Sequence, residues 1–193
     1  IESIRQAFPA LQQQVNGESV YFFDGPGGSQ VPQSVLDAMT AYLGKYNSNL
    51  GGRFFSSEKT VDVMRDARLS GQALLNTESP DNIVFGANTT SLTFQLSRAI
   101  SRDWQTGDEV IVTSLDHYSN VSTWQQAADD KGAVVHQARI NEADCTLDSE
   151  HLISLISNKT KLVALTFASN TTGSLVDVKP IIEAAHAVGA KVY

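Results

Sequence analysis

Leu162-Val163-Ala164-Leu165-Thr166-Phe167, running into Ala168-Ser169-Asn170-Thr171-Thr172-Gly173, carries the clearest fold signal in the chain. Its first six residues are apolar or β-branched throughout, the pattern of a strand covered on both faces. Such strands belong to parallel sheets sandwiched between helices. Downstream, Asp177 can cap a helix over 178–188, with Pro180 in its first turn and Gly189 just past its end. Upstream, the same alternation repeats. Val20-Tyr21-Phe22-Phe23, Ile83-Val84-Phe85, Val110-Ile111-Val112-Thr113 and Ala133-Val134-Val135 have strand character. Helical spacing runs through 32–46, 57–76, 89–102, 121–131 and 148–157. Thr106-Gly107-Asp108 marks a turn before a strand, and Asp148 with His151 three residues on is a weaker helix start. The expected class is α/β with a mostly parallel sheet and helices on both faces.

Composition narrows the function. The chain has 193 residues, 41% hydrophobic and 18% charged, which suits a folded domain, or one domain and part of another. A net charge of -7 without a basic stripe argues against nucleic acid as partner. The single cysteine, Cys145, cannot form an internal disulfide, so a reducing compartment suits the chain. No apolar run has the length of a membrane span, and Ile1-Glu2-Ser3-Ile4-Arg5 has no signal-peptide character. The expectation is a cytoplasmic protein.

In open α/β sheets, ligands lie beyond the carboxyl ends of the strands. Three such ends are dense in hydroxyls and amides: Gly86-Ala87-Asn88-Thr89-Thr90-Ser91, Ser114-Leu115-Asp116-His117-Tyr118-Ser119-Asn120, and Ala168 to Gly173. At the first, a strand end opening directly into a helix leaves N–H groups unpaired at the positive end of the helix dipole. Thr89 and Thr90 add hydroxyl donors, so phosphate binding and plain helix capping by Asn88 or Thr89 are both open. The segment is neither a Walker loop nor a Gly-x-Gly-x-x-Gly fingerprint. At the second end, His117 can stack on a planar ring, move a proton or simply bond within its loop. His136, His151 and His186 have no ligand spacing to it, which argues against zinc. At the third, Asn170 can donate and accept, or serve as a turn residue. The pairs in Gly25-Pro26-Gly27-Gly28 and Gly51-Gly52 read as a turn and a helix C-cap.

The order of these segments resembles the class V aminotransferase family of pyridoxal 5'-phosphate (PLP) enzymes, which includes cysteine desulfurases. Tyr21-Phe22-Phe23-Asp24-Gly25 to Pro32 resembles the family's strand-then-Asp-Asn-Ala-Ala-x-x-x-Pro opening, with Gly25 in place of the Asn. Ile83 to Thr90 resembles the stretch whose paired threonines hold the PLP phosphate. Asp116-His117-Tyr118-Ser119-Asn120 resembles Glu-His-x-Ala-Asn, with Asp116 where the glutamate is usual. Ser169-Asn170-Thr171-Thr172-Gly173 resembles Ser-Asn-x-x-Gly, and Ala185 to Tyr193 resembles the helix and strand before the family's cofactor aspartate.

The resemblance implies the three-layer α/β large domain of fold type I PLP-dependent transferases, with a mostly parallel sheet incomplete at the C-terminus. It implies that residues 1–50 contribute to a small domain and an active-site loop, and that 51–193 form the first part of the PLP-binding domain. It implies PLP as cofactor of the complete enzyme, held by Asn88, Thr89 and Thr90 at the phosphate, His117 on the ring and Asn170 near the phenolic oxygen. It implies an amino-acid substrate, a cysteine desulfurase-like C–S cleavage, a homodimer, and no membrane or nucleic-acid partner. The family's aspartate, Schiff-base lysine and substrate arginine have no counterpart here, and Cys145 does not match the persulfide cysteine. The chain is therefore expected to be an N-terminal portion without turnover of its own, with no catalytic residue assigned in it. Transaminase, epimerase, hydrolase or decarboxylase chemistry on the same scaffold stays open. So do a non-catalytic module that binds a phosphorylated metabolite and a doubly wound structural domain.

Overall fold

The computed structural model describes residues Ile1–Tyr193. It divides into two compact units, Ile1–Phe85 and Gly86–Tyr193.

In the first unit, α1 (Glu2–Gln6) precedes a two-stranded hairpin of β1 (Gln14–Val15) and β2 (Glu18–Ser19). Its turn is Asn16-Gly17, both at positive φ (54° and 83°), the pairing a two-residue hairpin favours. Two longer helices follow, α2 (Gln33–Lys45) and α3 (Phe55–Leu75). The link between them is fixed by hydroxyls: Ser57 Oγ donates to Asn49 O (2.8 Å) and accepts from Gly52 N (2.8 Å). Gly51-Gly52 thus forms a turn feeding α3, not a helix C-cap. Val20 to Phe23 and Ile83 to Phe85 do not form strands. A strand exists only through a partner's ladder, and neither segment has one here. Tyr21, Phe23, Val84 and Phe85 are exposed.

The second unit holds the sheet. α4 (Thr89–Ile100) leads to β3 (Glu109–Thr113), α5 (Ser119–Asp129) and β4 (Val134–Ala138). A small hairpin, β5 (Ile140–Asn141) with β6 (Thr146–Leu147), and α6 (Ser149–Ser154) come next. β7 (Thr160–Val163), α7 (Lys179–Ala187) and β8 (Lys191–Val192) complete it. Four strands pair in the order β4-β3-β7-β8, all parallel. Side chains alternate across this sheet with period two. Val110, Val112, Leu162 and Ala164 pack with Trp124, Ala127 and Ala128 of α5. Ile111 and Val163 pack on the other face with Leu152 of α6 and Ile181 and Ala185 of α7. The result is the three-layer α/β sandwich expected. The strand read over 162–167 is shorter than its apolar run, although Ala164 N still donates to Ile111 O (2.8 Å) and Leu165 N to Tyr193 O (3.0 Å).

The caps follow the sequence. Asp148 accepts from His151 N (2.9 Å) at the start of α6. Pro180 lies in the first turn of α7, and Gly189 ends it at φ 78°. Asp177 makes only a long contact to Lys179 N (3.4 Å), and Val178 occupies the N-cap position. No helix is long and apolar enough to cross a membrane.

Candidate cofactor site

From β3 the chain moves to β4 on one side; from β7 it moves to β8 on the other. The direction of winding therefore reverses between β3 and β7. A crevice at the carboxyl ends of two such strands is where open α/β sheets bind ligands. A pocket of about 430 Å³ lies there, within the range of small-molecule sites. Thr89, Thr90, His117 and Asn170 line it, with Asp116, Asn120 and Tyr193.

Thr89 and Thr90 are the first two residues of α4. Asn88 is its N-cap, with Oδ1 accepting from Ser91 N (2.8 Å), and Leu92 N closes the first helical bond to Asn88 O (3.1 Å). The N–H groups of Thr89 and Thr90 have no acceptor in the chain. Asn88 thus removes one orphan donor of the helix and leaves two others facing outward chemistry. Gly86, just before the cap, lies against the Leu92 side chain of this helix. Helix capping and anion binding, open alternatives from spacing alone, are compatible because they use different N–H groups.

His117 is exposed, and its Nδ1 is engaged by Ser119: the Ser119 N–H donates to it (3.2 Å), and Ser119 Oγ lies 2.7 Å away. An accepting Nδ1 fixes the neutral ring as the Nε2–H tautomer and its orientation with it. Asn170 sits at the tip of a tight turn. Ser169 Oγ accepts from Thr171 N and Thr172 N (both 3.3 Å), and Gly173 N donates back to Ser169 O (3.1 Å). That turn leaves the Asn170 amide exposed at the pocket wall.

Asp116 is the hub that spacing did not single out. Its Oδ2 accepts from the Thr113 hydroxyl at the end of β3 and from Thr166 N beyond β7 (3.0 Å). Its Oδ1 accepts from Asn120 Nδ2 (2.6 Å), and Asn120 Oδ1 accepts from Trp124 Nε1 (2.9 Å). Burial pushes the Asp116 carboxyl above its ordinary value, while the bonds from Thr113, Asn120 and Thr166 pull the other way. Trp124 meets the Tyr193 ring edge-on (centroids 5.1 Å apart, 64°), and the Tyr193 hydroxyl lies 3.1 Å from Thr93 Oγ1. Thr93 in turn donates to Thr89 O (2.9 Å). Only the i, i+4 spacing of Asp116, Asn120 and Trp124 could have signalled part of this chain of contacts. Tyr193 and Thr93 are distant in sequence and carry no local mark.

This donor set suits a phosphorylated aromatic ligand. It pairs free N–H groups at a helix N-terminus with an exposed, oriented imidazole and an amide around one pocket. The aminotransferase class-V family profile matches residues 21–193. A probable cysteine desulfurase of Synechocystis sp. is 33% identical over 98% of this chain and 46% of its own length. The cysteine desulfurase of Synechococcus elongatus is 32% identical over 100% of this chain and 31% of its own length. The cysteine desulfurase CsdA of Escherichia coli superposes with a TM-score of 0.83 at 27% identity, over 99% of this chain and 47% of that one. A structure of C-DES with glycine covalently linked to its PLP cofactor shares the fold, with a TM-score of 0.75 at 22% identity over 97% of this chain and 47% of that one. The chain spans less than half the length of these relatives. With its sheet, its switch-point pocket and a profile match over nearly its whole length, this chain belongs to the aminotransferase class-V family.

Proposed function

We propose that this chain forms the cofactor-holding part of a PLP-dependent enzyme that acts on an amino acid with cysteine desulfurase-like C–S cleavage. One observation carries the reading: Thr89 and Thr90 at the start of α4, His117 beyond β3 and Asn170 beyond β7 line one pocket at the switch point. When bound, PLP supplies an electron sink for bond breaking in the amino acid. The residues here hold and orient it. The Thr89 and Thr90 N–H groups and hydroxyls receive the phosphate, and Asn88 keeps the α4 terminus formed. His117, held by Ser119, offers its ring face for stacking. Asn170 offers an amide to the ring oxygen. Residues 1–50 belong in this reading to the small domain and active-site loop, and the complete enzyme is a cytoplasmic homodimer. Sedimentation of the complete enzyme as a monomer at all concentrations would count against the dimer.

The direct test is a thermal shift with pyridoxine 5'-phosphate, which lacks the aldehyde and so forms no adducts with surface lysines. The reading expects saturable stabilisation by this compound and none by pyridoxine. Equal stabilisation by inorganic phosphate would favour a simple anion site, and no stabilisation would refute the reading.

A further inference from the structure

We propose that Asp116 is a positioning residue that locks the His117 loop to both strand ends and to α5, so that the stacking ring is held ready before any ligand arrives. This inference rests on the assignment of His117 as the ring-facing residue.

Donor and acceptor directions around Asp116 fix its role. Three donors converge on Asp116: the Thr113 hydroxyl, Thr166 N–H and the Asn120 amide. A group that meets donors on both its oxygens must be an acceptor throughout, which an ionised carboxylate is and an amide is not. Beyond it, the Asn120 amide has a fixed sense. Its oxygen is taken by the Trp124 indole N–H (2.9 Å), so its nitrogen must face Asp116. Trp124 is fully buried and cannot turn its N–H elsewhere. The polarity of the whole row, Trp124 to Asn120 to Asp116, is therefore set from the core outward. His117 follows Asp116 directly in the chain, and its Nδ1 is fixed by Ser119 in the first turn of the helix that Asn120 anchors. The row also continues through the Tyr193 ring to Thr93 and the carbonyl of Thr89. The contacts that fix Asn120 at the start of α5 thus continue to the first turn of α4.

This polarity can be inverted by exchange. Asp116→Asn alone keeps an acceptor for Thr113 and Thr166 but turns an NH₂ toward the Asn120 NH₂. Asn120→Asp alone sets two carboxylates face to face. The double exchange, Asp116→Asn with Asn120→Asp, restores every bond: the new amide donates to the new carboxylate, which still accepts from Trp124. The test is NMR of the ligand-free protein, following the Trp124 indole N–H and the ¹⁵N shifts of the His117 ring. Both single variants are expected to move the Trp124 signal and to lose the fixed Nε2–H signature of His117, and the double variant to recover both. A wild-type His117 signature in Asp116→Asn, or a double variant that behaves as the sum of the singles, overturns the proposal. If Asp116→Asn fails to fold, the double variant must fold; its failure also overturns it. Titration of the same samples with pyridoxine 5'-phosphate separates the two assignments. Recovery in the ligand-free cycle with no binding to the wild type refutes the cofactor reading and leaves the role of Asp116 standing.

Discussion

Replacing Asn88 separates the two jobs that meet at the start of α4. Its Oδ1 caps Ser91 N (2.8 Å) while the Thr89 and Thr90 N–H groups stay free. Asn88→Ala removes the cap, at a cost of ~1 kcal/mol. For a chain of this size that lowers Tm by about 2–4 °C. Asn88→Asp keeps a capping oxygen and complements the helix dipole, so stability is retained. It also places a negative charge beside the donors that receive phosphate. Two unit charges ~4 Å apart repel by about 1 kcal/mol in water. A phosphate carrying nearly two charges then loses about 2 kcal/mol, roughly 30-fold in affinity. Calorimetric titration with pyridoxine 5'-phosphate, beside thermal melts, reads both quantities. The expected pattern is a destabilised but binding-competent Asn88→Ala and a stable Asn88→Asp that binds weakly, with the deficit shrinking at high salt. An Asn88→Asp protein that binds as tightly as wild type would refute the placement of phosphate at this helix.

Other outcomes follow from the same structure. Asp116 has its carboxyl raised by burial, so its contribution to stability is fully present below the unfolded carboxyl value of about 3.9 and is lost as pH rises through the higher folded value. Urea melts should show the stability of wild type relative to Asp116→Asn falling as pH rises over that window; a rise would contradict it. Asp148 is the opposite case: the His151 backbone N–H and Arg139 hold its carboxyl low. Its cap should therefore stabilise above about 3.9 and fade as pH falls through the lower folded value, so Asp148→Ala should be felt at neutral pH and not in strong acid. Trp124→Ala empties a fully buried site between sheet and α5 and should cost about 3–5 kcal/mol by urea unfolding. Tyr193→Phe removes one hydroxyl contact to Thr93 and should cost only ~1 kcal/mol, while moving the amide signals of the first turn of α4.

The sheet was legible because burial leaves a mark in sequence. Val110 to Thr113 and Leu162 to Leu165 are buried on both faces and read as apolar runs. Helix starts were legible where a side chain makes the cap, as at Asn88 and Asp148. Val20 to Phe23 and Ile83 to Phe85 carry the same strand-like composition, yet pairing depends on a partner, which composition does not encode. In the site, His117 and Asn170 could be found by their position beyond β3 and β7, and Thr89 and Thr90 by theirs at a capped helix start. Asp116 lies beyond the same strand end as His117, but its organising role could not be read from position. Asp116 acts through Thr166, fifty residues away, and through an amide whose direction is set by a buried indole. Such long-range polar bonds have no sequence period and emerge only when the strands are laid side by side.

One phosphorylated pyridine ring is proposed to span the α4 terminus and His117. Intermolecular NOEs between bound pyridoxine 5'-phosphate and the protein are the decisive measurement. Contacts are expected from the ligand's ring protons and methyl group to the His117 imidazole, together with shifts of the Thr89 and Thr90 amide signals. Saturable binding with no contact to His117, or with the Thr89 and Thr90 amides unmoved, would contradict it.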